Sequence, residues 1–502
     1  MNRPGKTVAG IDLGTTRSLV AWVDRTGRPT TVTNADGDLT TPSVVHFDTD
    51  SVVVGKEADR LAEFEPDLVA RFVKRDMGQA CYRRTIRGAS FPPEVIQALI
   101  LRKLKADAEL RLGSIDQAVI TVPAYFDEPR RKATQDAARI AGIELLDILN
   151  EPTAAAISYG FHKGFISLAA DRDRRELVMV YDLGGGTFDV SLMEINGREF
   201  RSLGTAGNLQ LGGIDWTARI ADHISERFMH EFGINPQDDL RAQHTLMQQA
   251  EDVKRSLSAR EKGAFVFSFE GHQLKLNFTR GLFEQITSDL LERTIQTVSR
   301  LLNEANCCWD DVTRLLLAGG ASRMPIVQHT LEEISGRDVD RSLSPDEAVA
   351  HGAAIYAALR SGSAHERIND IKVHNVNSHH LGVLGIDRAT GRNKRCVMIP
   401  KNSPLPAKKT STFRTFRPGQ SSVVVNVIEG GNTEGQKASR IGTCVVRGLP
   451  PNLPAKSPVE VTFQYQANGR IQVDAFLPTV GRKAELHIER ANWFTDETVL
   501  FW

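Results

Sequence analysis

The sequence predicts an α/β protein that ends in a small all-β domain. A unit of strand, Asp-Leu-Gly turn and second strand occurs twice, at 8–20 and at 178–190, which suggests two similar halves that face one site. Around these copies, strand patterns alternate with helical patterns, which is the order of a sheet with crossover helices. Beyond residue 380 the apolar residues alternate with a period of two, as in strands with one buried face.

The composition is that of a globular protein without a bulk charge preference. A chain of 502 residues suggests roughly two to four domains. Lysine plus arginine and aspartate plus glutamate number 62 each, so the net charge predicts neither a nucleic-acid nor a membrane partner. The five cysteines have no disulfide or zinc spacing, and we find neither a signal peptide nor a run of ~18 apolar residues. We therefore expect a cytoplasmic protein.

Before the second copy, the predicted elements are short strands and longer helices. The predicted strands are 7–12, 18–23, 30–33, 43–47, 52–54, 118–123 and 144–149. The predicted helices are 57–75, 93–112, one that Asp127 caps and Gly142 ends, and 153–159, which Gly160 closes. Residues 161–175 are predicted to form a loop.

After the second copy, helices dominate up to residue 362. The predicted helices are one that ends near Phe232, 241–258, 281–305, one that Pro325 opens, and one that ends near Arg360. The predicted strands are 264–269, 273–277 and 315–318. Residues 344–347, Ser-Pro-Asp-Glu, have the pattern of a capping box with proline at the first helical position, so we expect them to start the last helix.

The last part of the chain has β-strand periodicity. Residues 423–427 and 459–463 alternate between apolar and other side chains, and Asn468-Gly469 is a strong hairpin signal. The predicted divisions are a domain at 1–362, a polar linker at 363–380, an all-β domain at 381–490 and a tail at 491–502.

The two Asp-Leu-Gly turns suggest a phosphate site. Each copy ends its first strand in an acid, Asp12 or Asp182, and glycines in the turn let backbone N–H groups approach a polyanion. Mg²⁺ needs nearby carboxylates, often reached through water. One such turn alone would favour an ordinary hairpin, whereas two could hold a phosphate chain from both sides. The P-loop pattern is absent, so the chain is not a P-loop enzyme.

Other candidate residues have local alternatives. Lys74 alone could be a surface lysine, and Glu151 could be a helix cap. Glu251, Lys254 and Ser258 share one helical face, which could equally be a solvated face. Further along, Gly319-Gly320 ends a strand before a helix, where ligands meet backbone N–H groups, and Arg323 could stack on a purine.

Five strings decide between these alternatives, because together they resemble the 70-kDa heat-shock chaperone family of the DnaK type. Their order and spacing fit over residues 6–362, and 381–490 resembles that family's peptide-binding β-sandwich. The strings are Gly10-Ile-Asp-Leu-Gly-Thr-Thr16, Ile120-Thr-Val-Pro-Ala-Tyr-Phe126, Asn150-Glu-Pro-Thr-Ala-Ala-Ala156, Asp182-Leu-Gly-Gly-Gly-Thr-Phe-Asp189 and Pro345-Asp-Glu-Ala-Val-Ala350.

The resemblance implies an actin-like, two-lobed ATPase domain that binds ATP or ADP with Mg²⁺ and K⁺. The implied catalytic residues are Lys74, Glu151, Asp182 and Thr187, and the implied Mg²⁺ ligands, through water, are Asp12, Asp182 and Glu151. The implied nucleotide-binding residues are Gly14, Thr15, Thr16, Arg17, Gly184, Gly185, Gly186, Thr187, Glu251, Lys254, Ser258, Gly319, Gly320, Arg323 and Asp346.

The resemblance also implies polypeptide partners. Unfolded or extended polypeptide would be the client, with a J-domain co-chaperone and a nucleotide-exchange factor as further partners. Pro123 and Arg131 would relay the nucleotide state to the peptide domain. The implied peptide channel residues are Ile399, Phe413, Phe416, Val423 and Val425.

Several positions depart from the family pattern. Ile214 and Thr217 stand where acids or other polar residues are usual, and Arg17 replaces an Asn or Ser. The linker has no leucine run, and we see no helical lid or acidic tail. Bulky Phe416 stands where the family has a small residue, so it would narrow or cap the peptide channel.

The sequence therefore predicts an ATP-dependent chaperone of this heat-shock type, with slow hydrolysis and weakened control by linker and lid. The alternative is an ATP-switched adaptor or scaffold whose β domain recognises a dedicated partner. A sugar kinase of the same superfamily would need a catalytic acid in a sugar pocket and no C-terminal β domain. The motif strings and the β region argue against it.

Overall fold

The computed structural model describes residues 7–166, 174–363, 371–387, 390–434, 436–467 and 469–487. Within these residues the chain forms two compact units. The first comprises Met1–Ala124, Ala133–Phe200 and Ala206–Lys372, and the second comprises Tyr125–Lys132, Arg201–Thr205 and Val373–Trp502. The predicted tail 491–502 lies outside the described residues, as do parts of the predicted loop 161–175 and linker 363–380.

Up to residue 363 the described chain contains strands and helices in alternation. The strands are β1 (Thr7–Asp12), β2 (Arg17–Val23), β3 (Pro29–Val32), β4 (Thr41–Pro42), β5 (Val44–Phe47), β6 (Val52–Val54), β7 (Val69–Arg71), β8 (Ile115–Val122), β9 (Glu144–Asn150), β10 (Arg175–Leu183), β11 (Phe188–Asn196), β12 (Glu199–Asn208), β13 (Lys262–Phe269), β14 (His272–Thr279), β15 (Arg314–Ala318) and β16 (Val339–Asp340). The helices are α1 (Lys56–Leu61), α2 (Pro93–Leu112), α3 (Glu128–Ile140), α4 (Glu151–His162), α5 (Gly213–Phe232), α6 (Leu240–Ala259), α7 (Arg280–Ile286), α8 (Ser288–Glu304), α9 (Pro325–Ser335) and α10 (Ala348–Ser361).

Two sheets of the first unit repeat one topology. The first runs in the order β3-β2-β1-β8-β9, and the second contains the order β12-β11-β10-β15-β16. In each, the central strand pairs antiparallel with the next strand in sequence and parallel with a later one. The predicted duplication is therefore confirmed at the level of topology, and both aspartates stand at the carboxyl end of a central strand. This mixed α/β arrangement fits an actin-like ATPase fold.

Helix α10 packs closely against β1 and α4, because two glycines remove the side chains that would separate them. A Cβ atom added to Gly352 would lie 1.8 Å from the carbonyl oxygen of Ala154 in α4. A Cβ added to Gly10 would lie 2.2 Å from the backbone nitrogen of Ala354 in α10. The approach buries the alanine-rich face of α10 against the strand that carries Asp12.

Some predicted elements were wrong, and the structure shows why. The helix predicted at 57–75 ends at Leu61, because Pro66 opens a 3-10 turn and β7 then pairs with β5. Gly160 does not close α4; a Cβ there would lie 2.5 Å from the ring of Phe200, so the glycine allows close packing inside the helix. Residues 344–347 form a turn, and α10 begins only at Ala348.

The second unit contains a β domain with an apolar core. Its strands are β18 (Leu381–Ile386), β19 (Asn393–Ile399), β20 (Ala407–Arg414), β21 (Ser422–Gly430), β22 (Ala438–Arg447), β23 (Pro458–Tyr465), β24 (Ile471–Leu477) and β25 (Arg482–His487), after a short β17 (Lys372–His374). The eight strands β18–β25 are hydrogen-bonded in the order β19-β18-β21-β22-β25-β24-β23-β20. The predicted alternation at 423–427 and 459–463 is confirmed, while the division into two facing layers stays a prediction.

None of the helices in the described ranges is long and apolar enough to cross a membrane.

The close approach of α10 predicts a large effect of a single methyl group. Gly352→Ala should lower the free energy of unfolding by about 1–3 kcal/mol or more, because the new Cβ overlaps backbone that cannot move away. Gly281→Ala is the matched control, since a Cβ there meets nothing within 4 Å and α7 gains a better helix former. Urea denaturation of both variants measures the difference, and equal midpoints would contradict this account of the packing.

Candidate functional site

The two Asp-Leu-Gly turns face each other at the carboxyl ends of β1 and β10. A Cβ atom added to Gly185 would lie 2.4 Å from the hydroxyl oxygen of Thr16. One added to Gly186 would lie 2.3 Å from the side chain of Thr15. Only glycine fits this contact, so the turn of the second copy meets the threonines of the first directly.

Hydrogen bonds fix both turns. Gly14 donates its N–H to the Ser18 hydroxyl at 3.0 Å and accepts from the Ser43 hydroxyl at 3.0 Å. In the other turn, the carbonyls of Gly184 and Gly185 accept from the first residues of α5 at 2.9 and 2.8 Å. Among the described residues, the N–H groups of Gly185 and Gly186 have no acceptor. Fixed, unpaired backbone donors are what an anion such as a phosphate binds.

A buried charge cluster lies beside these turns. The ammonium nitrogen Nζ of Lys74 donates to Oε1 of Glu151 at 2.5 Å, and both side chains are buried. Burial, together with repulsion from Glu151, raises the pKa of Asp12 to about 7. Burial and the same repulsion raise the pKa of Asp182 well above its ordinary value. Although burial opposes it, attraction to Glu151 and Asp12 raises the pKa of Lys74.

The cluster suits a divalent cation. Three buried carboxylates share one ammonium, so the ionised cluster would carry uncompensated negative charge, and carboxylate oxygens are the ligands that Mg²⁺ prefers. Asp12 and Asp182 are the residues that would hold the ion. Among the residues that the structure describes, no three His, Cys, Asp or Glu side chains are grouped to bind a metal directly. Contact through water, as predicted from the sequence, stays a prediction.

Arg75 completes the site, and we did not predict it from the sequence. Its Nε donates to the carbonyl of Gly186 at 2.8 Å, and its Nη2 pairs with Asp215 at 2.5 Å. Asp215 in turn accepts from the N–H of Gly212 at the start of α5. Arg75 therefore ties the short 3-10 turn Val73–Asp76, which presents Lys74, to the glycine turn. The incorrect helix at 57–75 hid it, because it placed Arg75 at a basic helix end.

Helix α6 contributes the predicted face of Glu251, Lys254 and Ser258. Lys254 Nζ donates to Glu251 at 2.6 Å, to the Thr217 hydroxyl at 2.8 Å and to the Gly213 carbonyl at 2.8 Å. Although burial opposes ionisation, the charge of Lys254 and its hydrogen bond lower the pKa of Glu251 to about 2. Thr217, which departs from the family pattern, therefore takes part in this hydrogen-bond network as an acceptor for Lys254.

Arg323 also lines the cavity; it pairs with Asp346 at 2.6 Å and its side chain is half-exposed. Gly319 adopts a positive φ of 78° directly after β15. Arg255 also lines the cavity, one helical turn from Glu251, with which it pairs at 2.9 Å. The sequence reasoning missed Arg255, although its i+4 spacing from Glu251 was a usable signal.

One cavity of about 1080 Å³ in the first unit joins the charge cluster to the α6 face. Of the predicted nucleotide-site residues, the ones that line it are Asp12, Gly14, Thr15, Thr16, Arg17, Lys74, Glu151, Asp182, Gly184, Gly185, Thr187, Glu251, Lys254, Ser258, Gly319, Gly320, Arg323 and Asp346. Gly186 is not among them, because it packs between Thr15 and Gly212 and its carbonyl faces Arg75.

Comparison with known families agrees with this geometry. The family model described as Hsp70 protein matches residues 8–88 and 71–500. The chain belongs to the Hsp70 family. The resemblance found in the motif strings is therefore confirmed, and the protein is a chaperone of the Hsp70 type. Hsp70 proteins are of ATPase type, bind ATP or ADP with a divalent metal, and generally bind unfolded polypeptides and co-chaperones.

The structure places the predicted Hsp70 peptide residues unevenly. Ile399, Val423 and Val425 belong to the apolar core of the β domain, and Phe413 packs against that core while partly exposed. Phe416 is 69% exposed. A channel lined by these residues stays a prediction.

The two predicted relay residues fall in different units. Pro123 is buried directly after β8 in the first unit. Arg131, in the second unit, donates from Nε to the Phe126 carbonyl at 3.1 Å. Their relay role stays a prediction.

The position of Arg75 predicts a role in catalysis. Arg75→Ala should slow single-turnover ATP hydrolysis by about tenfold or more, because a hydrogen bond to a charged group is worth ~1.5–3 kcal/mol and holds the glycine turn in place. Arg75→Lys should not restore the rate, since an ammonium cannot bond Gly186 and Asp215 together in the same geometry.

The control for Arg75 is Arg60→Ala, which removes an exposed arginine whose partner Glu57 lies 3.6 Å away. Its rate and its urea midpoint should match those of the unaltered protein. If Arg75→Ala loses stability but hydrolyses bound ATP at the normal rate, the arginine is only structural.

Proposed function

We propose that this Hsp70 protein hydrolyses ATP slowly in the cavity of its first unit and uses the nucleotide state to control binding of extended apolar polypeptide by its β domain. The observation that supports the ATPase most is the buried Lys74–Glu151 pair beside the two facing turns. Burying an ion pair costs desolvation energy. A buried pair that lines a cavity therefore points to a functional role for its charges. The remaining residues of the cavity supply the other contacts that a nucleotide needs.

Phosphoryl transfer depends on positioning the reacting groups and on neutralising the charge of the phosphates. The cavity residues provide one or the other of these contributions. Lys74 neutralises the γ-phosphate, and Glu151 orients both that ammonium and the attacking water. Thr187 positions the water from the second turn, while Thr15, Thr16 and the unpaired N–H group of Gly185 hold the phosphate oxygens. A bound Mg²⁺, held near Asp12 and Asp182, would supply further charge neutralisation.

The other end of the cavity suits a nucleoside. The carboxylate of Glu251 can accept hydrogen bonds from a ribose or a purine edge, and Ser258 adds a hydroxyl group. Lys254 is already oriented by three hydrogen bonds. Arg323 is held by Asp346 and its side chain is half-exposed, so its guanidinium would stack on the purine. ATP and ADP share these contacts, so both should bind.

An ATP-switched adaptor is the second candidate. Ile399, Val423 and Val425, which would line a peptide channel, are buried in the core of the β domain. A dedicated partner that contacts exposed residues such as Phe416 would need no such channel. A J-domain co-chaperone and a nucleotide-exchange factor fit either candidate.

The ATPase proposal predicts a separation of binding from hydrolysis. Lys74→Ala should abolish measurable turnover while leaving ATP affinity nearly intact, because it removes charge at the γ-phosphate and leaves the nucleoside contacts in place. Calorimetry measures the binding and single-turnover experiments measure the chemistry. Lys56→Ala, which breaks a half-exposed ion pair to Asp38, should change neither. Unchanged single-turnover hydrolysis in Lys74→Ala would refute the assignment.

The polypeptide proposal predicts weak control by ATP. Residues 363–380 contain no leucine, so the apolar energy that could couple the nucleotide state to the β domain is reduced, and a buried leucine is worth about 1.5–3 kcal/mol. ATP should therefore speed release of a labelled apolar peptide by no more than about tenfold over ADP. Stopped-flow release measures this ratio. A hundredfold acceleration would contradict weak coupling, and no peptide binding at all would favour the adaptor.

A further inference from the structure

The chain has a net charge of zero, but its charged residues are unevenly distributed along the sequence. From residue 381 to residue 490 the sequence has 17 lysines and arginines but only seven aspartates and glutamates, a formal charge of +10. Because the whole chain is balanced, the remaining residues carry the opposite excess. The β domain is therefore strongly basic, which no average over the chain reveals.

Three of the seven acids in the β domain are buried or paired within the domain. Glu429 is buried and accepts from the Tyr465 hydroxyl at 3.0 Å. Asp387 pairs with Lys394 at 3.1 Å, and the buried Asp474 pairs with Lys483 at 3.3 Å. These acids cannot offset cations elsewhere on the surface.

Three exposed cations lie close to Phe416 along the chain or in the loop hydrogen-bonded to its neighbour Thr415. Arg414 ends β20 and donates from Nη1 to the carbonyl of Lys456 at 3.2 Å. Lys456 donates its backbone N–H to Thr415 at 3.1 Å, which joins its loop to the one that presents Phe416 and Arg417. We call Arg414, Arg417 and Lys456 the basic cluster. Within the described residues, none of the three has a carboxylate partner.

The apolar side chains exposed on the β domain suit a polypeptide. Besides Phe416, the large apolar side chains exposed among the described residues of this domain are the aliphatic Ile386, Val397 and Val424. Aliphatic groups contact apolar side chains but offer bases no aromatic platform, and binding of single-stranded nucleic acid relies on several stacked aromatics. The surface therefore favours a chain with apolar residues over a nucleic acid.

We propose that the β domain selects extended polypeptide segments in which an apolar run is flanked by aspartate or glutamate. This rests on the proposed polypeptide-binding function and specifies its substrate class. The apolar run contacts Phe416, while the acidic flanks meet the basic cluster. Complementary charge steers association and rejects like-charged partners, so segments with lysine or arginine flanks are disfavoured.

The test compares three labelled peptides of equal length with the same central run of leucine and valine, flanked by glutamate, serine or lysine. Fluorescence anisotropy with the full chain in ADP should give affinities in the order glutamate, serine, lysine, with about tenfold between the first two, or 1.4 kcal/mol. The preference should fade between ~0.1 M and ~1 M salt, where the Debye length falls from about 10 to about 3 Å.

Single-charge variants locate the preference. Arg417→Gln should reduce the glutamate-to-serine affinity ratio at least twofold without changing the affinity for the serine-flanked peptide. Lys437→Gln is the matched control. It is exposed and lies beyond the far end of β21, roughly 30 Å from the Phe416 loop at ~3.3 Å per residue, so it should leave the ratio unchanged. Phe416→Ser should weaken all three peptides alike.

The outcomes separate this inference from the function on which it rests. If the serine-flanked peptide binds and glutamate flanks add nothing, polypeptide binding stands and the charge preference is wrong. If no peptide binds at low salt, the polypeptide function itself fails. A single-stranded oligonucleotide that binds more tightly than the glutamate-flanked peptide and displaces it would show that the basic surface serves nucleic acid, which would overturn the proposal.

Discussion

The buried charge cluster at Lys74 is the constraint on which the first unit depends. Asp12, Asp182 and Glu151 are held out of water near a single ammonium. Burying charge is costly unless the partners are rigidly placed, so every element around the cluster has to be fixed by packing. The glycine contacts achieve this, since α10 closes on β1 at Gly10 and the two turns meet at Gly185 and Gly186 without intervening side chains.

The duplicated topology explains why the cluster can exist. Each central strand, β1 or β10, delivers an aspartate at its carboxyl end and then a turn rich in glycine or threonine. Two copies that face each other supply acids and backbone donors from both sides, as a metal–phosphate group requires. Arg75 then ties the segment that carries Lys74 to one of these turns, so that the neutralising charge and the phosphate donors are positioned together.

In the β domain the functional features lie on the surface rather than in a buried charge cluster. Its core is apolar and some of its acids are buried or paired, while exposed cations and scattered aliphatic side chains lie on its surface. A surface of this kind discriminates by charge as much as by apolar contact. Hsp70 membership supplies the expectation of a polypeptide ligand, and the surface of this chain supplies a reason for it to prefer one kind of polypeptide over another.

The sequence by itself determined the family, the repeated Asp-Leu-Gly units and the period-two β region, because glycine turns and strand-end acids leave local patterns that do not depend on packing. Nearly all the nucleotide-site residues that the resemblance implied also line the cavity. Tertiary structure decided what local patterns cannot encode. Gly160 resembles a helix end in sequence but makes room for Phe200, and the helical pattern at 57–75 yields to the pairing of β7 with β5. Arg75 acquires its role only when Gly186 and Asp215, distant in sequence, arrive beside it. Propensity is a weak local preference, and long-range contacts of greater total energy override it.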